Sequence, residues 1–110
     1  RDNINKIRAK IVVEAANIPM AIETEAALHK KGILVVPDFV ANAGGVISSY
    51  AEYRGYNPQR MFSIVEKKIR QNTKKVLEHA RKKNLEPREA AMEIAVARVR
   101  KATERRKHSR

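Results

Sequence analysis

The run from Val36 to Tyr53, V-P-D-F-V-A-N-A-G-G-V-I-S-S-Y-A-E-Y, constrains this chain more than any other stretch. Four apolar residues, Ile33-Leu34-Val35-Val36, lead into it and are stopped by Pro37 and Asp38. The small tetrad Asn42-Ala43-Gly44-Gly45 follows, and then a helical pattern read from Asn42 to Tyr53 and closed by Arg54-Gly55. In physical terms this is the C-terminal end of a buried strand followed by a helix N-terminus. Gly44 and Gly45 lack a Cβ and let backbone approach a bound group. The helix end offers unpaired N–H donors and a partial positive charge. In open α/β sheets, ligands sit at this place.

The residues before it supply a matching strand. Ile11-Val12-Val13-Glu14-Ala15-Ala16 is β-branched and then small, which predicts a buried parallel strand. Pro19 biases Ile18 away from helix and ends it. From Ala21 to Lys31 apolar positions recur at Ile22, Ala26 or Ala27, and Leu28, with Gly32 as the C-terminal stop. Strand, helix and strand make a βαβ unit of a parallel sheet. Two parallel strands do not make a stable sheet alone. The chain is therefore expected to be the edge of a larger α/β domain, preceded by a short helical turn within Arg1 to Lys10.

Beyond Tyr53 the pattern is helical. Pro58 opens a long helix with Met61, Ile64, Val65, Ile69, Val76, Leu77 and Ala80 on one stripe and Asn84 as its cap. A last helix opens at Glu86-Pro87 and carries Ala91, Ile94, Ala95, Val99 and Ala102, alanines that imply close helix packing. These two apolar faces are expected to drive self-association. The 110 residues hold at most one domain, and the absence of cysteine excludes disulfides and thiolate metal sites. No apolar run approaches the ~18 residues of a membrane span, which predicts a soluble, cytoplasmic protein. The net charge of +12 concentrates at the end, with seven Lys/Arg against one acid from Arg98 to Arg110. Such a run is a solvated helix face or a nucleic-acid footprint; no aromatic residue is interleaved to stack on bases, which favours the former.

Four side chains stand out as candidates. Asn17 and Asn42 each follow a strand at what would be the C-terminal edge of the sheet. Neutral amides there suit a ribose or carboxamide, and equally suit a turn or helix cap. Ser49, two helical turns after Asn42, can face the same ligand and hold a carboxylate, or bond its own helix backbone. Val46 would line that wall or belong to the core. His29, His79 and His108 show no metal-ligand spacing and read as exposed. No paired carboxylates, no nucleophile with a base, and no three-glycine dinucleotide loop are recognisable. The stretch from Val36 to Tyr53 thus reads as a binding surface without catalytic apparatus.

A-K-I-V-V-E-A-A-N-I-P (Ala9 to Pro19), G-I-L-V-V-P-D-F-V-A-N-A-G-G-V (Gly32 to Val46) and S-S-Y (Ser48 to Tyr50) resemble the C-terminal part of glutamate dehydrogenase, of the hexameric bacterial and archaeal kind. The resemblance implies oxidative deamination of L-glutamate to 2-oxoglutarate and ammonia with NAD or NADP. It implies an end of a Rossmann-like sheet over residues 1–53 and C-terminal helices with a basic tail over 54–110. It assigns Asn17 and Asn42 to the nicotinamide side of the cofactor, Ser49 to the side-chain carboxylate of glutamate and Val46 to packing on the substrate. Leucine, phenylalanine and valine dehydrogenases resemble the N-A-G-G-V stretch with valine where Ser49 stands, so serine favours the glutamate branch. Members usually carry two threonines after the proline of Pro19, where this chain has Met20 and Ala21; a helix cap is lost. The family's substrate lysines, catalytic lysine and aspartate and glycine-rich loop would lie upstream of Arg1. The reading is therefore a C-terminal fragment, a homo-oligomer in its complete form, inactive in isolation. The rival reading is a small basic binding module or non-catalytic remnant, contacting nucleic acid through residues 98–110.

Overall fold

A computed structural model describes residues 3–108. After one 3₁₀ turn at Ile4–Lys6, the chain forms β1 (Ile11–Val13), α1 (Ile22–Lys30), β2 (Leu34–Val36), α2 (Asp38–Ala41), α3 (Gly44–Tyr53), α4 (Pro58–Lys83) and α5 (Pro87–His108). The strands pair in parallel with Ile11 opposite Leu34, Val12 opposite Val35 and Val13 opposite Val36. The predicted βαβ unit and the helices after it are therefore present.

Helix ends follow the local chemistry. At the end of α1, Gly32 takes φ +78, and the N–H groups of Ile33 and Gly32 donate to the carbonyls of Leu28 and His29 at 3.1 and 2.8 Å. This is a Schellman closure, with Ile33 and Leu28 meeting as its apolar contact. The end of α3 repeats it at Gly55, φ +66, where Tyr56 N–H donates to the Ala51 carbonyl at 3.0 Å. Asn84, φ 54, ends α4 as predicted. Asn57, a cap that sequence pattern did not single out, starts α4 by accepting Arg60 N–H at 2.9 Å, with Pro58 in the first turn. No side chain caps α1 at Ala21, as the loss of threonine predicts.

Because side chains alternate across a strand, β2 feeds two cores. Val35 joins Leu28 and Ile33 beneath α1, with Ile4, Ile7, Val12 and Met20 around them. Val36 joins Val40, Val76, Ala80, Ala90 and Ala91 between α2, α4 and α5. Of the α4 stripe, Val76 and Ala80 are buried and Met61, Ile64, Val65, Ile69 and Leu77 half-buried, as α4 packs against α3 and α5.

Three expectations are corrected. β1 is parallel but not buried: Ile11 and Val13 are 57% and 59% exposed, because no helix or further strand covers that face among the described residues. The helix after β2 does not start at Asn42; α2 begins at Asp38, and Asn42 is its C-terminal cap before α3 starts at Gly44. Val99 and Ala102 lie exposed, since α5 outruns the core after Ala95. Residues 109 and 110 of the basic tail, and the side chain of His108, lie outside the described residues.

Candidate functional site

With β1 and β2 parallel, the segments that leave their C-terminal ends emerge at one edge. Asn17 and Asn42 meet there: Asn42 Nδ2 donates to Asn17 Oδ1 at 2.6 Å, across 25 residues of sequence. The Asn17 amide nitrogen and the Asn42 amide oxygen have no further partner among the described residues. One donor and one acceptor are therefore left at the edge of the pair.

α3 begins directly after Asn42, and its two sides differ. Gly44 faces α4 so closely that a Cβ on it would stand 3.3 Å from Val65 Cγ1. Its missing side chain serves helix packing, whereas a Cβ on Gly45 would meet nothing within 4 Å. Of the two glycines expected to admit a ligand, only Gly45 faces open space. Ala51, fully buried, continues the packed side. The opposite side carries Val46, Ser49, Tyr50 and Tyr53, all exposed, with Val46 at 78%. Val46 is not core. Ser49 Oγ donates to the Gly45 carbonyl at 3.1 Å, the backbone bond open to a helical serine, and Ser48 Oγ does the same at 2.8 Å.

Beneath the asparagines lies a cluster that sequence reading did not find. Arg88, in the first turn of α5, donates from Nε to Glu25 Oε1 and Oε2 at 2.8 and 2.7 Å. Its Nη2 donates to Glu14 Oε2 at 3.0 Å and to Asp38 Oδ1 at 2.9 Å. The Arg88 guanidinium also lies 5.4 Å from the Phe39 ring centroid. Glu14, Glu25 and Asp38 are all buried, so the expectation that carboxylates do not cluster is corrected. They lie 11 and 13 residues apart in sequence and converge only through the fold. Besides the four bonds from Arg88, two backbone N–H groups tie the cluster down: Glu14 Oε2 also takes Asp38 N–H at 3.0 Å, and Asp38 Oδ2 takes Ile18 N–H at 2.9 Å.

Burial pushes the Glu14 carboxyl above its ordinary range, against the Asp38 N–H bond that lowers it. Glu14 Oε1 is buried without a partner among the described residues. The Ile18 N–H bond, with help from Arg88, holds Asp38 below its ordinary range. Arg88 is held more firmly protonated than usual, first by Glu25. The cluster joins the residue after β1 to α1, α2 and α5 and is an ion lock.

Other sequence expectations resolve away from this edge. His79 is half-buried and its Nε2 lies 2.7 Å from Glu93 Oε2, which Lys83 also reaches at 2.8 Å; the pair joins α4 to α5. His29 is exposed as expected. No group of three potential metal ligands occurs among the described residues. A cleft of about 130 Å³ between Phe39, Val76, Ile94 and Arg98 is lined by none of Asn17, Asn42, Val46 or Ser49. No described helix is long and apolar enough to cross a membrane.

Comparison with known proteins accounts for the N-A-G-G-V edge. The family model of glutamate/leucine/phenylalanine/valine dehydrogenase matches residues 1–107. The chain belongs to this dehydrogenase family. Glutamate dehydrogenase of Aeropyrum pernix is 41% identical over 89% of this chain, and that of Thermotoga maritima is 38% identical over 94%. The chain spans about a quarter of the length of these curated relatives, 26% of each. Crystal structures agree: L-tryptophan dehydrogenase from Nostoc punctiforme superposes with a TM-score of 0.82 at 32% identity, covering 94% of this chain and 31% of that one. Glutamate dehydrogenase from Peptoniphilus asaccharolyticus gives 0.81 at 31%, covering 96% and 28%. The exposed face of β1 and the exposed side of α3 are thus surfaces of a dehydrogenase-family segment whose relatives are about four times as long.

Proposed function

We propose that this chain is the part of an NAD(P)-dependent glutamate dehydrogenase that holds the nicotinamide end of the cofactor and the side chain of the substrate. The single observation that carries the reading is the Asn17–Asn42 amide pair at the strand edge. The free nitrogen of Asn17 and free oxygen of Asn42 match, donor for acceptor, the carboxamide of a nicotinamide. The bound cofactor, NAD or NADP, would supply the hydride acceptor. The chain's own residues bind and orient. Asn17 and Asn42 hold the carboxamide in the plane of the edge. Ser49 turns its hydroxyl from the Gly45 carbonyl to the side-chain carboxylate of L-glutamate, and Val46 packs on the substrate's methylenes. Groups that move the amine proton come from the remainder of the enzyme, so the isolated 110-residue chain turns over no glutamate.

In its complete form the protein is proposed to be a cytoplasmic homo-oligomer, with exposed apolar side chains such as Val46, Tyr53 and Phe62 as surface to be covered. The test is Ser49→Val in the complete enzyme subunit. An unpaired carboxylate costs about 2–3 kcal/mol, so kcat/KM for L-glutamate should fall roughly a hundredfold, with L-valine or L-leucine gaining relative to it. Unchanged glutamate turnover would reject the assignment.

A further inference from the structure

The ion lock does not touch the amide pair, yet both asparagines hang from one of its members. Asp38 Oδ2 accepts the N–H of Ile18, the residue bonded to Asn17, at 2.9 Å. The Asp38 carbonyl accepts the N–H of Asn42 at 2.7 Å. Ile18 needs such a hold, because it sits at φ +46. A β-branched residue in that left-handed region is strained and relaxes unless its surroundings fix it. Asp38 in turn is fixed by Arg88, which takes its other oxygen, and Arg88 is fixed by Glu25 and Glu14.

We propose that Asp38, locked by Arg88, is the positioning residue that sets the Asn17–Asn42 pair for the nicotinamide carboxamide. The inference rests on the cofactor reading above and goes beyond it, since Asp38 makes no contact with cofactor: its carboxylate acts through the Ile18 N–H, while the Asn42 N–H is held by the backbone of α2. A pair held at both ends presents its free donor and acceptor in one geometry, whereas a released Ile18 carries Asn17 away from Asn42. The order lost on release is then paid again at every binding event.

The experiment is a double-mutant cycle in the complete enzyme, reading KM for the nicotinamide cofactor, kcat and melting temperature. Asp38→Asn keeps the shape but sets an amide NH2 against either Ile18 N–H or Arg88. It is expected to raise cofactor KM about tenfold, as Asn17→Ala does, and the double variant should also show about tenfold. Asn57→Ala, which loses the α4 cap, is the stability control and should leave cofactor KM within twofold. Arg88→Lys repeats the measurement if Asp38→Asn does not fold, since it keeps the charge but cannot reach three carboxylates in the same geometry. A cofactor KM within twofold of the parent for Asp38→Asn, with Asn17→Ala still tenfold weaker, overturns the positioning role and leaves the cofactor reading standing. A hundredfold loss in the double variant also overturns it, since Asp38 would then act independently of Asn17. If Asn17→Ala and Asn42→Ala both leave cofactor KM unchanged, the cofactor reading falls and takes this inference with it.

Discussion

Replacing Arg88 by methionine is the most informative perturbation of the fold. Methionine fills similar length and leaves three carboxylates facing one another. The Glu14, Glu25 and Asp38 side chains are 0%, 6% and 9% exposed, and that of Arg88 is 21% exposed, so water reaches the cluster poorly. Removing one partner from a buried ionic cluster costs about 3–5 kcal/mol, because the remaining charges stay desolvated and unpaired. Against a total stability of about 5–15 kcal/mol for a domain, that is a large fraction.

The pH dependence supplies a sharper signature. In the parent chain Asp38 is held below its ordinary range, so its contribution is complete above the ordinary carboxylate value and is lost as pH falls through the lower folded value. Glu14 is raised, so its contribution is complete below the ordinary value and lost as pH rises through the folded one. Without Arg88 the three carboxylates lose their shared cation and face one another, and protonation relieves the repulsion. Urea unfolding of the 110-residue chain followed by circular dichroism should therefore give a loss of about 4 kcal/mol at about pH 7 that shrinks towards about pH 5. Adding Glu14→Gln and Glu25→Gln to Arg88→Met should recover more than half of it. A loss under about 1 kcal/mol at neutral pH, or one that is flat with pH, would refute the ion-lock argument.

Three smaller changes test the helix ends. Asn57→Ala removes the side-chain acceptor for Arg60 N–H and should lower stability by about 1 kcal/mol in the same urea assay. Gly32→Ala forces a Cβ into φ +78 and should cost about 1 kcal/mol, seen as a lower melting temperature. Gly45→Ala meets open space inside α3 and should raise the melting temperature, by about 0.5 kcal/mol of stability; a fall would show that the N-terminal turn of α3 is not as open as the backbone indicates.

The elements were legible because their signals are local. Proline at Pro58 and Pro87, glycine at Gly32 and Gly55, and asparagine at Asn84 act within one turn of where they stand, and each ends or starts the helix expected of it. The break at Asn42 was hidden because Asp38-Phe39-Val40-Ala41 has no pattern of its own; at the start of α2 the Asp38 N–H is taken by Glu14, the residue after β1 and 24 positions away in sequence. His79 looked solvent-facing by spacing and found Glu93 only when α5 folded back on α4.

By itself the sequence determined a parallel βαβ unit, a glycine-rich helix start and membership of a dehydrogenase family, and it singled out Asn17, Asn42, Val46 and Ser49 as residues to watch. The first two and the four candidates follow from residue type and short spacing, and the family from the likeness of whole stretches to known members. Only the tertiary structure decided that the two asparagines bond to each other, that Gly44 serves helix packing while Gly45 stays open, and that Glu14, Glu25 and Asp38 share one arginine from 50 to 74 residues away. A charge cluster assembled from four elements has no period or motif along the chain. Its members look like ordinary surface charges until packing takes away the water that would have solvated them.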